Sequence, residues 1–272
     1  MPASIRSIAL DHVAVAAERQ SDAWPRYAGD LSGQWLAGMS TPGFASAQVT
    51  FGNGMKLEVL EPDRVDENDF LRRFLDRQGP GPHHLTYRVD DITVALAAAE
   101  AAGFRPVGVD LSDPEWKEGF LHPREALGIV IQLAECHETY EPSDPPEGFP
   151  VPRTVRPAVL DRMVHAVASL DEGLHLFAGL LGGREEDRRQ DEAGRSVDLA
   201  WVGPGRLRLL EPTSGTGPVA TWLGGRPGRL HHLAFTVDDP AGVPGSRPLG
   251  NGDFEVPPQA NQGVRLLLRA PD

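Results

Sequence analysis

Residues 79–91 read GPGPHHLTYRVDD, and residues 228–239 read GRLHHLAFTVDD. Both carry His-His-Leu, an apolar alternation and a closing Val-Asp-Asp. Two further pairs repeat around them: LDHVAVA at 10–16 with LDRMVHAVA at 160–168, and KLEVLEP at 56–62 with RLRLLEP at 206–212. Self-similarity of this kind identifies a tandem duplication. The spacing agrees. Glu58 follows His12 by 46 positions, and Arg208 follows Arg162 by 46. His84 follows Glu58 by 26, and His232 follows Arg208 by 24. The copies part at the last step, where Gln132 follows His84 by 48 positions but Leu267 follows His232 by only 35. The second copy therefore lacks roughly one helix there.

Working outward, residues 7–16 alternate as a strand does, with Leu10, His12 and Ala14 on one face. Residues 21–37 read as a helix with Pro25 in its first turn. Residues 45–61 read as a hairpin turning at Gly52-Asn53-Gly54. Asp66–Arg77 is a short amphipathic helix with Phe70, Leu71, Phe74 and Leu75 as its apolar stripe. The strand His83–Val89 follows, then an Ala-rich helix from Ile92 to Ala102 closed by Gly103. Two more strands are expected, the last from Gly128 to Glu135. The unit is thus strand, helix and further strands, twice over: two βαβββ motifs. Residues 137–157 are dense in Pro, Glu and Asp without apolar period and read as a linker. The pattern restarts at Ala158, with a helix at Leu170–Leu181. After Asp239 the text turns Pro/Gly-rich, and no helix matching 92–102 is expected. The division is 1–136, 137–157 and 158–272.

Composition bounds the function. The chain has 272 residues, enough for two domains. Its formal net charge of −13 argues against a nucleic-acid partner, which needs clustered Lys and Arg. No apolar run is long enough to span a bilayer, and MPASIRSIALDHV has no signal-peptide core, so a cytoplasmic protein with no membrane partner is expected. Cys136 is the single cysteine, which excludes an intrachain disulfide and fits a reducing compartment.

Period-two alternation sets His12, Glu58, His84 and Gln132 at matching positions on their strands. Spending inward positions on Glu or Gln costs about 1–3 kcal/mol each when unpaired. Convergence of all four on a divalent cation offsets that cost. Imidazole with oxygen donors suits Zn, Fe, Co, Ni or Mn. The competing readings are a hydrogen-bonded core histidine at His12 and a Glu58 paired with Arg88, which shares a face with His84.

LDHVAVA, FGNGMKLEVLEP, GPGPHHLTYRVDD and GFLHPREALGIVIQL resemble the successive motifs of the vicinal oxygen chelate superfamily, which includes glyoxalase I, bleomycin-resistance proteins and extradiol dioxygenases. The N-terminal copy is most similar to the methylmalonyl-CoA epimerases, whose FLHP segment is echoed by residues 120–123. The resemblance implies an α+β fold of tandem modules, each a pair of βαβββ motifs forming a curved, cleft-lining mixed sheet. It places the metal ligands at His12, Glu58, His84 and Gln132. Gln132 departs from the usual Glu, and Glu135 points to the opposite face of an unbroken strand. Thr41 stands where the epimerases carry an acid/base Glu, and Thr cannot serve as that base.

In the second module Arg162, Arg208 and Leu267 replace three of the ligands and only His232 remains, so no metal is expected there. Arg162, Arg208 and His232 could instead form an anion pocket, unless Asp198 or Glu211 neutralises the arginines.

Three functions remain open. The first is a divalent-metal-dependent glyoxalase- or epimerase-like enzyme, an isomerase or lyase, acting on a small enolisable carbonyl substrate. The second is a metal-free binding or resistance protein of the same fold, with Trp116 and Phe120 lining its pocket beside Arg88. The third is an extradiol-type dioxygenase, disfavoured because the metal-competent module is N-terminal. A fused tandem is expected to be a monomer mimicking a dimer, or a homodimer.

Overall fold

The computed structural model describes residues 8–136, 143–192 and 194–271. In the first copy, β1 (Ala9–Ala16), α1 (Gln20–Trp24), β2 (Gln34–Thr41), β3 (Phe44–Thr50) and β4 (Lys56–Glu61) make one βαβββ motif. After α2 (Phe70–Gln78), the strand β5 (Gly81–Arg88), α3 (Ile92–Ala101), β6 (Pro106–Asp110), β7 (Trp116–Leu121) and β8 (Val130–Cys136) make the second. Their eight strands form one mixed sheet in the order β2-β3-β4-β1-β5-β8-β7-β6. The long strands β1 and β5 lie adjacent at its centre, and each pairs in parallel with the last strand of its own motif.

The second copy repeats the plan. It contains β9 (Val159–Val167), α4 (Leu170–Leu174), β10 (Arg184–Gln190), β11 (Arg195–Ala200), β12 (Arg206–Glu211) and α5 (Pro218–Leu223). It ends with β13 (Gly228–Thr236), β14 (Arg247–Pro248), β15 (Phe254–Val256) and β16 (Leu266–Arg269). The strand order, β10-β11-β12-β9-β13-β16-β15-β14, is that of the first sheet. No helix follows β13 at the place of α3 among the described residues, which accounts for the shortened spacing between His232 and Leu267.

Two expectations need correction. The helix expected over 21–37 ends early: α1 passes into a π-helical turn, Pro25–Asp30, and residues 34–41 are strand. The apolar spacing of Trp24, Tyr27, Ala28, Leu31 and Trp35 mimics a continuous helix. Gly33 breaks it, its N–H donating to the Tyr27 carbonyl at 2.9 Å, and a Cβ there would lie 2.7 Å from that oxygen. Three strands, not two, follow α3, because residues 106–121 fold as a hairpin ahead of β8.

Two compact units exchange halves of the two copies. One comprises Met1–Asp11, His84–Glu138 and Arg162–His231; the other comprises His12–His83, Thr139–Asp161 and His232–Asp272. The cuts fall inside β1, β5, β9 and β13. In the first unit Tyr87 meets Trp201 edge-on at 5.3 Å, and the His165 Nε2 lies 2.9 Å from the Leu127 carbonyl. Backbone contact there is tight: a Cβ on Gly128, at φ +82°, would sit 2.0 Å from the Gly228 carbonyl oxygen. In the second unit Phe51 meets Phe235 at 5.0 Å, and the Asn261 amide donates to the Tyr27 hydroxyl at 3.2 Å.

The segment read as a linker lies partly outside the described residues, at 137–142. From 143 to 157 it has no helix or strand. It is nonetheless held against the second unit: Trp35 donates to Ser143, Phe149 packs edge-on against Trp24 and Trp35, and Arg153 pairs with Asp30. No helix among the described residues is long and apolar enough to cross a membrane.

The middle of one face of the first sheet is apolar. It carries Val13, Val15, Leu57, Val59, Leu85, Tyr87, Ile131 and Leu133, all buried. The opposite face carries His12, Glu58 and His84. At one end of this site face, Leu71 and Leu75 of α2 pack on Ala14, Ala16 and Leu60.

Candidate metal centre

Strand register brings the site together. On β1 and β4, Ala14 pairs with Glu58 in parallel, so His12, two residues before Ala14, shares a face with that carboxylate. Strand β5 lies beside β1 and supplies His84. Each of the three offers one ligand atom, and these atoms lie within 4.8 Å of one another. All three side chains are buried, at 1%, 7% and 6% exposure. The His12 Nε2 stands 3.5 Å from the Glu58 carboxylate, and the Gln48 amide donates to the other Glu58 oxygen at 3.2 Å.

The donor set fits a divalent ion. Ligand bonds of about 2.1 Å put neighbouring donors about 3 to 4 Å apart, so this cluster closes on an ion with small side-chain shifts. Two imidazoles and one carboxylate suit borderline metals. Gln48 stands where it can orient a metal-ligating carboxylate by hydrogen bonding to its outer oxygen. Its own Oε1 is buried and meets no donor among the described residues.

Gln132 lies on the same face but is engaged at both ends. Its Oε1 accepts from the Thr86 hydroxyl at 2.6 Å, and its Nε2 donates to the Glu118 carboxylate at 2.7 Å. It would reach a metal only through the oxygen that already accepts from Thr86. Glu135 points away, accepting from the Ile92 N–H and from Lys117. Arg88 reaches the Cys136 carbonyl at 2.9 Å and stands 4.0 Å from Asp11; Glu58 has His12 and Gln48 among its partners. Trp116 and Phe120 lie on β7, Phe120 directly paired with Gln132 and Trp116 donating to Glu118 at 2.8 Å. Thr41 closes the β2–β3 turn, donating to the Phe44 carbonyl at 3.3 Å. His83, next to the cluster, packs edge-on against Phe74 at 4.8 Å. Burial of its ring pushes its pKa down to about 4, against the pull of the Glu58 charge.

The second module keeps the register and inverts the charge. Asp198 pairs with Arg208 as Gln48 pairs with Glu58. The Asp198 carboxylate accepts two bonds from Arg208 at 2.7 Å and one from Arg162 at 2.8 Å. Burial works to raise its pKa; the hydrogen bonds and charges of the two arginines outweigh burial and hold it below the usual range. Glu211, the other expected neutraliser, pairs instead with Arg195. His232 is buried, and Leu267 pairs with Ala234 as Gln132 pairs with Thr86.

Comparison with known proteins agrees with this duplicated architecture. Residues 11–120 match the family described as the Glyoxalase/Bleomycin resistance protein/Dioxygenase superfamily. An ethylmalonyl-CoA/methylmalonyl-CoA epimerase of Cereibacter sphaeroides is 30% identical over 136 residues, covering 96% of that protein and 46% of this chain. The chain belongs to the glyoxalase superfamily. Among solved structures, a variant of 4-hydroxymandelate synthase from Streptomyces coelicolor matches 99% of this chain and 93% of its own, with a TM-score of 0.66 at 16% identity. That likeness covers both modules and concerns the fold. Methylmalonyl-CoA epimerase from Mycobacterium tuberculosis is 26% identical, covering 48% of this chain and 89% of its own, with a TM-score of 0.43.

Sequence reasoning missed Gln48 and Glu118. Gln48 becomes visible once the hairpin register is counted back from the Gly52-Asn53-Gly54 turn. Glu118 sits in WKEGFL, residues 116–121, where no apolar alternation marks a strand.

Proposed function

We propose that the first module binds one divalent metal ion through His12, Glu58 and His84, and that the chain is an isomerase or lyase acting on a small substrate with an enolisable carbonyl. The observation that carries this reading is the cluster itself: three buried donors within 4.8 Å, on neighbouring strands of a glyoxalase-superfamily sheet. The metal is Zn, Fe, Co, Ni or Mn by donor type. What the ion supplies when bound is Lewis acidity toward a carbonyl oxygen, which lowers the cost of charge developing there.

The rest falls to the chain. Gln48 fixes the Glu58 carboxylate. Trp116, Phe120 and Arg88 are assigned to the substrate wall of the same face. Gln132 is placed beside the centre, where its amide is oriented by Thr86 and Glu118. The second module, 158–272, is assigned no metal. Arg162 and Arg208 are largely spent on Asp198, so an anion pocket with His232 would have only their residual positive charge to offer. The likeness to an acyl-CoA epimerase supports a carbonyl substrate class, with a thioester as the first compound to try.

Thr41 favours a second reading, a metal-free binder of the same fold, because it removes one acid/base position. Incubating the metal-loaded chain in D2O with methylmalonyl-CoA, and with small α-hydroxy ketones, separates the two. Exchange of the α-proton that disappears in His84→Ala supports the enzyme. A metal-free protein that binds ligand without exchange refutes it.

A further inference from the structure

Strand β7 places a carboxylate on the site face that the metal cluster does not use. Glu118 pairs with Ala134 across β7 and β8, and Phe120 with Gln132. Gln132 in turn pairs with Thr86, two residues beyond His84 on β5. Directly paired residues share a face, so Glu118 stands on the face of His84.

Hydrogen bonds fix its carboxylate. The Trp116 indole N–H donates to Oε2 at 2.8 Å, and the Gln132 amide donates to the same oxygen at 2.7 Å. A carboxylate only accepts, so the Gln132 amide turns its NH2 to Glu118 and its carbonyl to the Thr86 hydroxyl, 2.6 Å away. Thr86 is fully buried and Gln132 nearly so. The chain Thr86–Gln132–Glu118–Trp116 is thus anchored at both ends. Oε2 is tied by two donors, and no donor among the described residues reaches Oε1.

The other carboxylates are committed elsewhere. Glu58 belongs to the metal cluster. Asp110, paired with Glu118 on the edge strand β6, is exposed and bonded to Ser112. Glu135 serves α3 and Lys117 from the opposite face.

We infer that Glu118 is the base of the first module, taking a proton through Oε1 from the carbon next to the substrate carbonyl. This rests on the enolisable-carbonyl reading above. In the step, the C–H bond breaks and its proton passes to Oε1. The electron pair becomes the carbon–carbon double bond of an enolate, with the charge on the carbonyl oxygen. Returning the proton from Glu118 to the same carbon, after the planar enolate has turned its other face to the carboxylate, completes an epimerisation without any further reactant. Gln132 and Thr86 are positioning residues: they hold the carboxylate and leave one oxygen for the substrate.

The test compares wild type, Glu118→Gln, Thr86→Val and His84→Ala as full-length, metal-loaded proteins. Each is measured for metal content and for α-proton exchange of methylmalonyl-CoA in D2O. Glu118→Gln is expected to hold the wild-type equivalent of metal and to lose exchange by about 100-fold or more. Thr86→Val is expected to fall between the two. The indole N–H resonance assigned by Trp116→Phe is expected to shift in Glu118→Gln. A metal-replete Glu118→Gln with wild-type exchange, or an unmoved Trp116 resonance, overturns the inference and leaves the metal reading standing. A wild-type chain without metal, or without exchange, overturns that reading and this inference together.

Discussion

Lowering the pH from 7 to 4 tests a buried imidazole in the second module. His165 on β9 has no exposed surface, and its Nε2 lies 2.9 Å from the Leu127 carbonyl. That contact requires the Nε2–H tautomer, with a bare Nδ1 that meets no partner among the described residues. Burial pushes its pKa down to about 4; the Leu127 carbonyl works the other way and loses. The unfolded chain restores a value near 6.5. Between these values the unfolded state binds more proton than the folded state, so stability falls as pH falls. The full loss is about 3 kcal/mol, at about 1.4 kcal/mol per tenfold change in proton affinity. It develops from pH 6.5 down to about 4 and then levels off. Urea unfolding of wild type and His165→Gln at a series of pH values reads it directly. Carboxylates and His83 titrate in both proteins and cancel in the difference. The two stabilities are expected to converge by about 3 kcal/mol between pH 7 and 4. Parallel curves would show that His165 does not stay neutral in the folded chain, and the account of its burial would be wrong.

Two further outcomes follow from the charge inversion between the modules. Asp198→Ala leaves Arg162 and Arg208 facing each other without their carboxylate and is expected to cost about 2–4 kcal/mol in urea unfolding. Inorganic phosphate should restore part of that loss, and a variant insensitive to phosphate would show that the arginines separate into solvent. In the first module, Gln48→Leu removes the amide that donates to Glu58 and is expected to weaken metal binding by about 10–100-fold in a calorimetric titration. Unchanged affinity would mean that Glu58 is held by its strand alone.

Much of this is legible in the sequence because β-strands alternate faces unless bulged. His12, Glu58 and His84 share a face with their i±2 neighbours, and the repeat spacing alone sets them on comparable strands. The equivalence of Arg162 to His12 and of Arg208 to Glu58 follows from the same counting, while charge alone leaves Asp198 and Glu211 as candidate neutralisers and the strand pairing of Asp198 with Arg208 decides between them. What stays hidden needs cross-strand register. Gln48 matters because it pairs with Glu58. Glu118 matters because β7 aligns it beside Gln132. Neither fact is written in local pattern. The overrun of the first helix has a local cause: the apolar spacing runs on to Trp35, while Gly33 ends the helix through backbone contact with Tyr27. The exchange of halves between the two compact units is likewise a property of packing, carried by contacts such as Phe51 with Phe235 and Tyr87 with Trp201.

The most direct test is elemental analysis of the untagged protein, purified without chelator, beside His84→Ala. The account predicts about one equivalent of a transition metal per chain in the wild type, lost in the variant. Substoichiometric metal that loading does not raise, and that His84→Ala does not change, would contradict it.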